Sequence, residues 1–221
     1  MTTPLVAAVH GTRSAAGLAT TRTLIDRVRA VRPGLAVELC FLDVLRPRLA
    51  DQLEMTHGAV VVVPVLLSAG YHVHDDIPAT AAAHRHIAVA RHLGPHPLIT
   101  RALLDRLAEV DAGGADSVAL VGSPSTRSSA GSDLGAAGAD LADALGRPVH
   151  PLTIGDSLAG TLARLPGRVA VATYLLSEGY FLDTLRNAAA AAGVATATEP
   201  LGAHAAIAEL IVQRYDEAVS S

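Results

Sequence analysis

The chain contains the same pattern of residues twice, and this internal repeat is the strongest constraint on its fold. Residues 66–72 read Leu-Leu-Ser-Ala-Gly-Tyr-His, and residues 175–181 read Leu-Leu-Ser-Glu-Gly-Tyr-Phe. Two further pairs of segments match in the same order, 11–17 with 125–131 and 93–96 with 201–204. Three matches with similar displacements indicate that one folding unit has been duplicated. We therefore predict two similar domains, covering residues 1–112 and 116–221.

Only the first copy carries histidines at two of the matched positions. His10, immediately before the first matched segment, aligns with Pro124, and His72 aligns with Phe181. Two copies of one folding unit need the same core, so residues found in one copy alone are candidates for chemistry rather than packing. We expect His10 and His72 to form the functional site and the second copy to have no equivalent.

The composition excludes several classes of protein. Half of the 221 residues are hydrophobic, which is enough for a large core. The net charge of −4 argues against nucleic-acid binding, which needs a basic face. The single cysteine, Cys40, excludes a disulfide framework and cysteine-ligated metal centres. The longest apolar run, residues 59–67, is shorter than the about 20 residues that cross a bilayer, and the start lacks a signal-peptide pattern. We expect a cytoplasmic protein without a membrane partner.

Apolar runs alternate with amphipathic stretches in both halves. In the first half we predict strands at 5–9, 37–42, 60–67 and 87–91, with helices at 15–31 and 99–110. In the second half we predict strands at 117–121, 149–153, 169–176 and 194–198, with helices near 135–145 and ending at 192 and 218. Strands alternating with helices form βαβ units, which favour parallel sheets. The predicted fold is α/β, with two small domains, each a parallel sheet with helices on both faces, facing each other across a cleft.

Three polar residues follow the first three predicted strands. His10, Asp43 and His72 stand at or just beyond their carboxyl ends. Open parallel sheets bind ligands at that edge, so the three side chains should converge there. Imidazole and carboxylate groups bind divalent metals and transfer protons near neutral pH. Two alternatives stay open: Asp43 caps a following helix, or His74 replaces His72 as the ligand.

The same segments resemble the signatures of a known enzyme family. The His-Gly-Thr-Arg turn at 10–13 is similar to the His-Gly-Ser-Arg opening of the sirohydrochlorin and cobalt-precorrin chelatases, the class II tetrapyrrole chelatases. Residues 64–78, an apolar strand leading through His72 to Asp-Ile-Pro, are similar to the second signature. Phe-Leu-Asp at 41–43 resembles a third site, where many members carry Phe-Leu-Glu. The resemblance covers the first half, and the second half corresponds to the family's degenerate repeat.

The resemblance implies insertion of a divalent metal into a tetrapyrrole without ATP. Its first implication is Fe²⁺ insertion into sirohydrochlorin during sirohaem synthesis. The alternatives are cobalt insertion in the corrinoid (cobalamin) pathway, or a carrier of tetrapyrrole or metal without catalysis. No permanently bound cofactor is expected, because the metal (Fe²⁺, Co²⁺ or Ni²⁺) is itself a substrate. His10 and His72 would bind the metal and, with Asp43, handle the pyrrole protons.

A macrocycle rich in carboxylates needs cations near its binding site. Arg13, on the loop of His10, and Arg46, just after Asp43, are expected to bind these carboxylates as bidentate partners, with Arg13 the more buried. Ser68 is expected to contact the substrate, and Arg127 is placed to face it from the second half. The cleft needs two units, and the duplication places both in one chain. We therefore expect a monomer with one site.

Two rival enzyme classes fit the sequence less well. Histidine phosphatases and phosphomutases typically have Arg directly before the histidine, where this chain has Val9. Rossmann enzymes need Gly-x-Gly-x-x-Gly after the first strand, and the loop 11–17 lacks it.

Four further histidines have irregular spacing and are expected at the solvated surface: His84, His86, His92 and His96. His96 and His204 occupy equivalent repeat positions, which indicates a shared structural role near a helix start.

Overall fold

Two parallel four-stranded sheets, one from each half of the chain, organise the computed structural model, which describes residues 2–220. The first sheet has the order β2-β1-β3-β4 and the second the order β6-β5-β7-β8. The strands are β1 (Leu5–Val9), β2 (Val37–Phe41), β3 (Val60–Val65), β4 (Ile87–Val89), β5 (Ser117–Gly122), β6 (Val149–Thr153), β7 (Val169–Tyr174) and β8 (Thr196–Ala197). The identical strand order agrees with duplication of one unit.

Eight α-helices connect and cover the strands of the described chain. They are α1 (Ala15–Val31), α2 (Leu49–Glu54), α3 (Ile77–Ala82), α4 (Pro97–Glu109), α5 (Ser128–Leu145), α6 (Leu158–Leu162), α7 (Tyr180–Ala191) and α8 (Ala205–Val219). A π-helical turn precedes α3 (His72–Asp76), and a 3-10 turn follows α4 (Ala112–Gly114). The sequence did not predict α2, α3 or α6, because helices this short show no complete hydrophobic period. Helix α5 starts earlier than predicted, because serines and glycines fill its first turns.

Side chains of each strand alternate between two apolar cores. On β1, Leu5 and Ala7 face a central core that also contains residues of α1, α4, α5 and α8. Val6 and Ala8 face an outer core closed by α2 and α3. On the second sheet, α6 and α7 cover the corresponding outer face. Each sheet therefore has helices on both faces, which confirms the predicted fold class.

The last helix of each half packs against the other half. Helix α8 contacts α1, β3 and β4, while α4 contacts α5 and β7. Arg214 of α8 is buried, and its Nη2 donates to the carbonyl of Leu93 at 3.0 Å. The hydroxyl of Tyr174 on β7 donates to the carbonyl of Leu67 at 3.2 Å. The predicted boundary at residues 112–116 separates the two sheets, whereas the central core is common to both halves. The division into two domains stays a prediction.

Helices α4 and α8 begin with the same histidine cap. Nδ1 of His96 accepts a hydrogen bond from the Leu98 amide at 3.2 Å, and Nδ1 of His204 accepts one from the Ala206 amide at 3.1 Å. An accepting nitrogen carries no proton, so both rings are neutral, and burial lowers the pKa of each. The predicted shared structural role is confirmed, and the predicted surface position is wrong for His96, which is only partly exposed.

The first sheet has a topological switch point between β1 and β3. The chain leaves β1 toward β2 on one side and β3 toward β4 on the other. The register places the ends of these strands level, with Val9 opposite both Phe41 and Val65. Ligands of open α/β sheets bind in the crevice at such a switch point. His10 and His72 follow the two strands that form it.

Candidate active site

A cleft of about 1470 Å³ lies at the carboxyl ends of the strands and is lined by both halves. Loops after β1 and β3 form one wall, and loops after β5 and β7 form the other. Of the residues predicted for the site, His10, Arg13, Ser68 and His72 line this cleft. The predicted convergence of distant segments at one edge is therefore present.

The two histidines stand together in the cleft with their rings nearly perpendicular. The ring centroids of His10 and His72 are 5.0 Å apart, and the ring planes meet at 85°. Nδ1 of His10 lies 3.2 Å from the carbonyl oxygen of Gly11, and Nδ1 of His72 lies 2.9 Å from Oδ2 of Asp76. These oxygens accept, so the proton of each neutral ring belongs on Nδ1 and the lone pair on Nε2. Two such nitrogens can bind one divalent metal or accept protons.

Asp76 is a functional residue that the sequence analysis missed. Its carboxylate orients the ring of His72, as carboxylates do for metal-binding histidines. Both residues belong to the π-helical turn before α3. The available signal was the four-residue spacing between a histidine and an aspartate, which brings two side chains onto one face of a helix. The sequence analysis placed no helix there.

Asp43 lies next to the histidine pair but does not cap a helix. The next helix, α2, has Arg48 as its N-cap residue, so the helix-cap interpretation is wrong. Oδ1 of Asp43 accepts a hydrogen bond from the Val44 amide at 2.7 Å. This hydrogen bond is the largest effect that lowers the pKa of Asp43, and the charges of Arg48, His10 and His72 lower it further. The Asp43 amide donates to the carbonyl of His10 at 3.0 Å, which ties the two loops together.

His72 and His74 lie in different surroundings. His74 is exposed, and its Nε2 lies 3.0 Å from the hydroxyl of Ser129 on α5. Among the described residues that line the cleft, His72 is present and His74 is not. The choice of His72 as the ligand stays a prediction.

The two predicted arginines lie in different places. Arg13 lines the cleft and forms no ion pair within residues 2–220, which leaves it available at the rim. Both Arg13 and Arg46 are exposed, so the expectation that Arg13 is the more buried of the two stays a prediction. Arg46 is absent from the described lining, because its guanidinium turns to Asp51, with Nη1 at 2.6 Å from Oδ2. A salt bridge to the first turn of α2 thus holds Arg46 away from the histidines.

The second half holds the loop that carries His72. Oδ2 of Asp133, on α5, accepts from the Ala69 amide at 2.7 Å and lies 3.0 Å from Nε2 of His92. The hydroxyl of Ser129 donates to the Ala69 carbonyl at 2.6 Å. His92 is thus a partly buried member of this network, and its predicted surface position is wrong. The second half therefore supports the loop of the first half that carries His72.

Arg127 also joins the two halves. It lines the cleft, as predicted, but its guanidinium pairs with the carboxylate of Asp75 in the first half. It is therefore neutralised in this structure, unlike Arg13.

The strand register corrects one pairing between the repeats. Val9 ends β1 and Gly122 ends β5, so His10 corresponds to Ser123 rather than to Pro124. The offset arises because the matched Thr-Arg-Ser motif enters its helix one residue earlier in the second half. The second half still lacks a histidine at this position.

The described residues 2–220 contain no group of three or more His, Cys, Asp or Glu side chains that could hold a metal ion. No helix in the same range is long and apolar enough to cross a membrane.

Comparison with known proteins finds a family that matches the first half of the chain. Residues 4–110, just under half of the chain, match the CbiX family model. No curated protein sequence matches the chain.

Solved structures extend the likeness of fold to the second half. The sirohydrochlorin chelatase SirB from Bacillus subtilis subspecies spizizenii, in complex with cobalt, is 17% identical with a TM-score of 0.82 over 100% of this chain and 96% of SirB. SirB from Bacillus subtilis with Fe³⁺ is 17% identical with a TM-score of 0.81, and the match covers 99% of this chain and 96% of SirB. CbiX, the terminal enzyme of siroheme biosynthesis in denitrifying bacteria, is 16% identical with a TM-score of 0.75, and the match covers 97% of this chain and 99% of CbiX. The resemblance to the class II chelatases is confirmed.

Proposed function

We propose that this protein inserts a divalent metal, Fe²⁺ in the first instance, into sirohydrochlorin without ATP. The observation that carries the proposal is the pair of imidazoles, His10 and His72, with centroids 5.0 Å apart at the switch point of a large cleft. The solved SirB structures contain cobalt or Fe³⁺, and the CbiX of known structure makes siroheme. Metal-binding side chains in a cleft of the same fold support the same class of reaction here.

The chemistry requires groups that bind a metal and groups that accept protons. As the metal enters the macrocycle, two pyrrole N–H bonds break, and the nitrogens keep the electrons that bind the metal. The Nε2 atoms of His10 and His72 can hold the incoming ion and then release it to the pyrrole nitrogens. Once free of the metal, a neutral imidazole accepts a pyrrole proton and passes it to solvent. Asp43, whose pKa is lowered, remains ionised and places a negative charge beside the pair.

The dimensions and charge of the cleft suit a large anionic substrate. Its volume of about 1470 Å³ exceeds the roughly 300–1,000 Å³ usual for drug-sized ligands. Arg13 stands at the rim without an ion-pair partner within residues 2–220, so it is the cation that we assign to a substrate carboxylate. Ser68 lines the same wall and is assigned a substrate contact.

An exposed arginine should contribute modestly to substrate binding. We expect Arg13→Ala to raise the KM for sirohydrochlorin about threefold, because exposed ion pairs are weak, and we expect the effect to shrink as salt rises. Arg46→Ala is the matched control, since Arg46 pairs with Asp51 outside the described lining of the cleft. Equal effects of the two variants would contradict the assignment of Arg13.

The deciding experiment is a metal-insertion assay with sirohydrochlorin and Fe²⁺, Co²⁺ or Ni²⁺ in parallel. We expect acceleration above the uncatalysed rate, and loss of most of it in His10→Ala and His72→Ala. His86→Ala, at an exposed position, serves as the control. Preference for Co²⁺ would favour the cobalt branch, which the cobalt-bound SirB makes the second candidate. Binding of the macrocycle without acceleration would indicate a carrier instead of an enzyme.

We further propose that the chain acts as a monomer. Both walls of the cleft come from one chain, and the central core joins the two halves. Light scattering should give the mass of one chain for the active species. An obligate dimer whose dissociation abolishes activity would contradict this.

A further inference from the structure

The wall of the cleft formed by the second half carries two neighbouring aromatic side chains. Tyr180 and Phe181, at the start of α7, both line the cleft. Their ring centroids are 5.6 Å apart with planes at 63°, an edge-to-face pair. Phe181 also packs against the outer core of the second sheet, and it therefore supports the neighbouring ring of Tyr180.

Tyr180 is exposed to an unusual degree for an aromatic side chain. It is 78% exposed, more than any other large apolar residue within residues 2–220. An aromatic ring gains free energy when it leaves water, so a large exposed ring in a cleft marks a surface for a ligand. The side chain starts from the first residue of α7, and its ring contacts the partly buried ring of Phe181.

The repeat shows how the two walls differ. Tyr180 has an aromatic counterpart in the first half, Tyr71, which also lines the cleft, whereas Phe181 has none. Phe181 occupies the position that corresponds to His72 in the first half. One wall thus presents a metal-binding imidazole where the other presents a hydrocarbon ring. A flat conjugated macrocycle has two π faces and stacks on aromatic rings in offset arrangements. A macrocycle in this cleft would have one face toward the imidazoles and the other toward the aromatic pair.

We propose that Tyr180, supported by Phe181, is the surface on which the macrocycle stacks with the face that points away from His10 and His72. This inference rests on the proposed function and adds the substrate's orientation to it. Stacking on this wall leaves only one face of the macrocycle open to the metal. The degenerate half therefore contributes substrate binding, and Tyr180 is a binding residue distinct from the metal site.

The test is a fluorescence titration of metal-free sirohydrochlorin with Tyr180 variants in the absence of metal. We expect Tyr180→Ala to raise the Kd about tenfold, Tyr180→Leu to raise it less, and Tyr180→Phe to leave it near the wild-type value, because stacking needs the ring and not the hydroxyl. In the insertion assay the change should fall mainly on KM. Met55→Ala is the control, since Met55 is 72% exposed and lies outside the described lining.

Two further measurements separate this inference from the proposed function. Titration with Co²⁺ alone should give the same affinity for Tyr180→Ala as for the wild type, because the metal binds the opposite wall. If Tyr180→Ala binds the macrocycle as tightly as the wild type, or if Tyr180→Phe is as weak as Tyr180→Ala, the stacking proposal is wrong while the chelatase function stands. If the wild type neither binds nor metallates sirohydrochlorin, the proposed function itself fails.

Discussion

Replacing Asp76 by asparagine tests whether the carboxylate behind His72 sets the metal affinity of the site. Asn has nearly the same shape but no charge, so the loop should keep its conformation while His72 loses its anionic partner. The amide can also turn its NH₂ group toward Nδ1, which would place the ring proton on Nε2 and block the metal-binding position. Both effects weaken metal binding.

The structure sets the size of the expected loss. Carboxylates behind metal-binding histidines typically contribute about 10–100-fold in metal affinity or activity. The contact is short, at 2.9 Å, but the side chains of His72 and Asp76 are 23% and 34% exposed, so water replaces part of the lost interaction. We therefore expect the lower end of that range, about a tenfold loss of affinity, which corresponds to about 1.4 kcal/mol.

Calorimetric titration with Co²⁺ in the absence of tetrapyrrole measures this affinity directly. The insertion rate at subsaturating metal should fall in proportion. Asp156→Asn, an equal change of charge at an exposed position in the second half, controls for the net charge of the protein. If Asp76→Asn binds Co²⁺ within twofold of the wild type, the carboxylate does not tune the site and the tautomer argument for His72 is refuted.

The remaining predictions concern stability. Gly17→Ala should destabilise the protein by about 1–3 kcal/mol, because its Cβ would clash with the backbone carbonyl oxygen of Glu178. Gly131→Ala, with open space around it, should stabilise α5 by about 0.5–1 kcal/mol. Urea unfolding measures both free energies, and the same sign for both would contradict the packing argument. Stability should also fall as the pH drops below about 6.5. Burial lowers the pKa of His96 and His204 from the ordinary 6.5, so the unfolded chain binds protons first, and protonation removes both helix caps. A His96→Asn/His204→Asn variant keeps cap acceptors that do not titrate, so a pH dependence as steep as that of the wild type would count against this cause.

The position of the histidine pair could be predicted from the sequence because it depends on strand ends. A run of apolar residues locates a strand within a residue or two, and a parallel sheet brings the ends of its strands to one edge. His10 and His72 follow β1 and β3, which are neighbours in the sheet, and they meet in the cleft.

Contacts that depend on loop conformation could not be predicted in this way. Arg46 and Asp51 meet because the chain after β2 turns back on itself, and no periodic pattern encodes that turn. Asp76 supports His72 through a single π-helical turn, which is too short to produce a hydrophobic period. Asp133 reaches the Ala69 amide from the other half, and such a contact requires the packing of whole helices to be known.

The exchange of α4 and α8 between the halves also determines which parts of the molecule can move. A hinge at residues 112–116 would be the simplest way to widen the cleft between the two halves. However, α8 packs against the first sheet and α4 against the second. Moving the two halves apart would expose apolar surface that the central core buries, so a wide hinge motion costs free energy. The width of the cleft is therefore set by the packing of α4 and α8, and the loops at its rim are the parts free to adjust when a ligand enters or leaves.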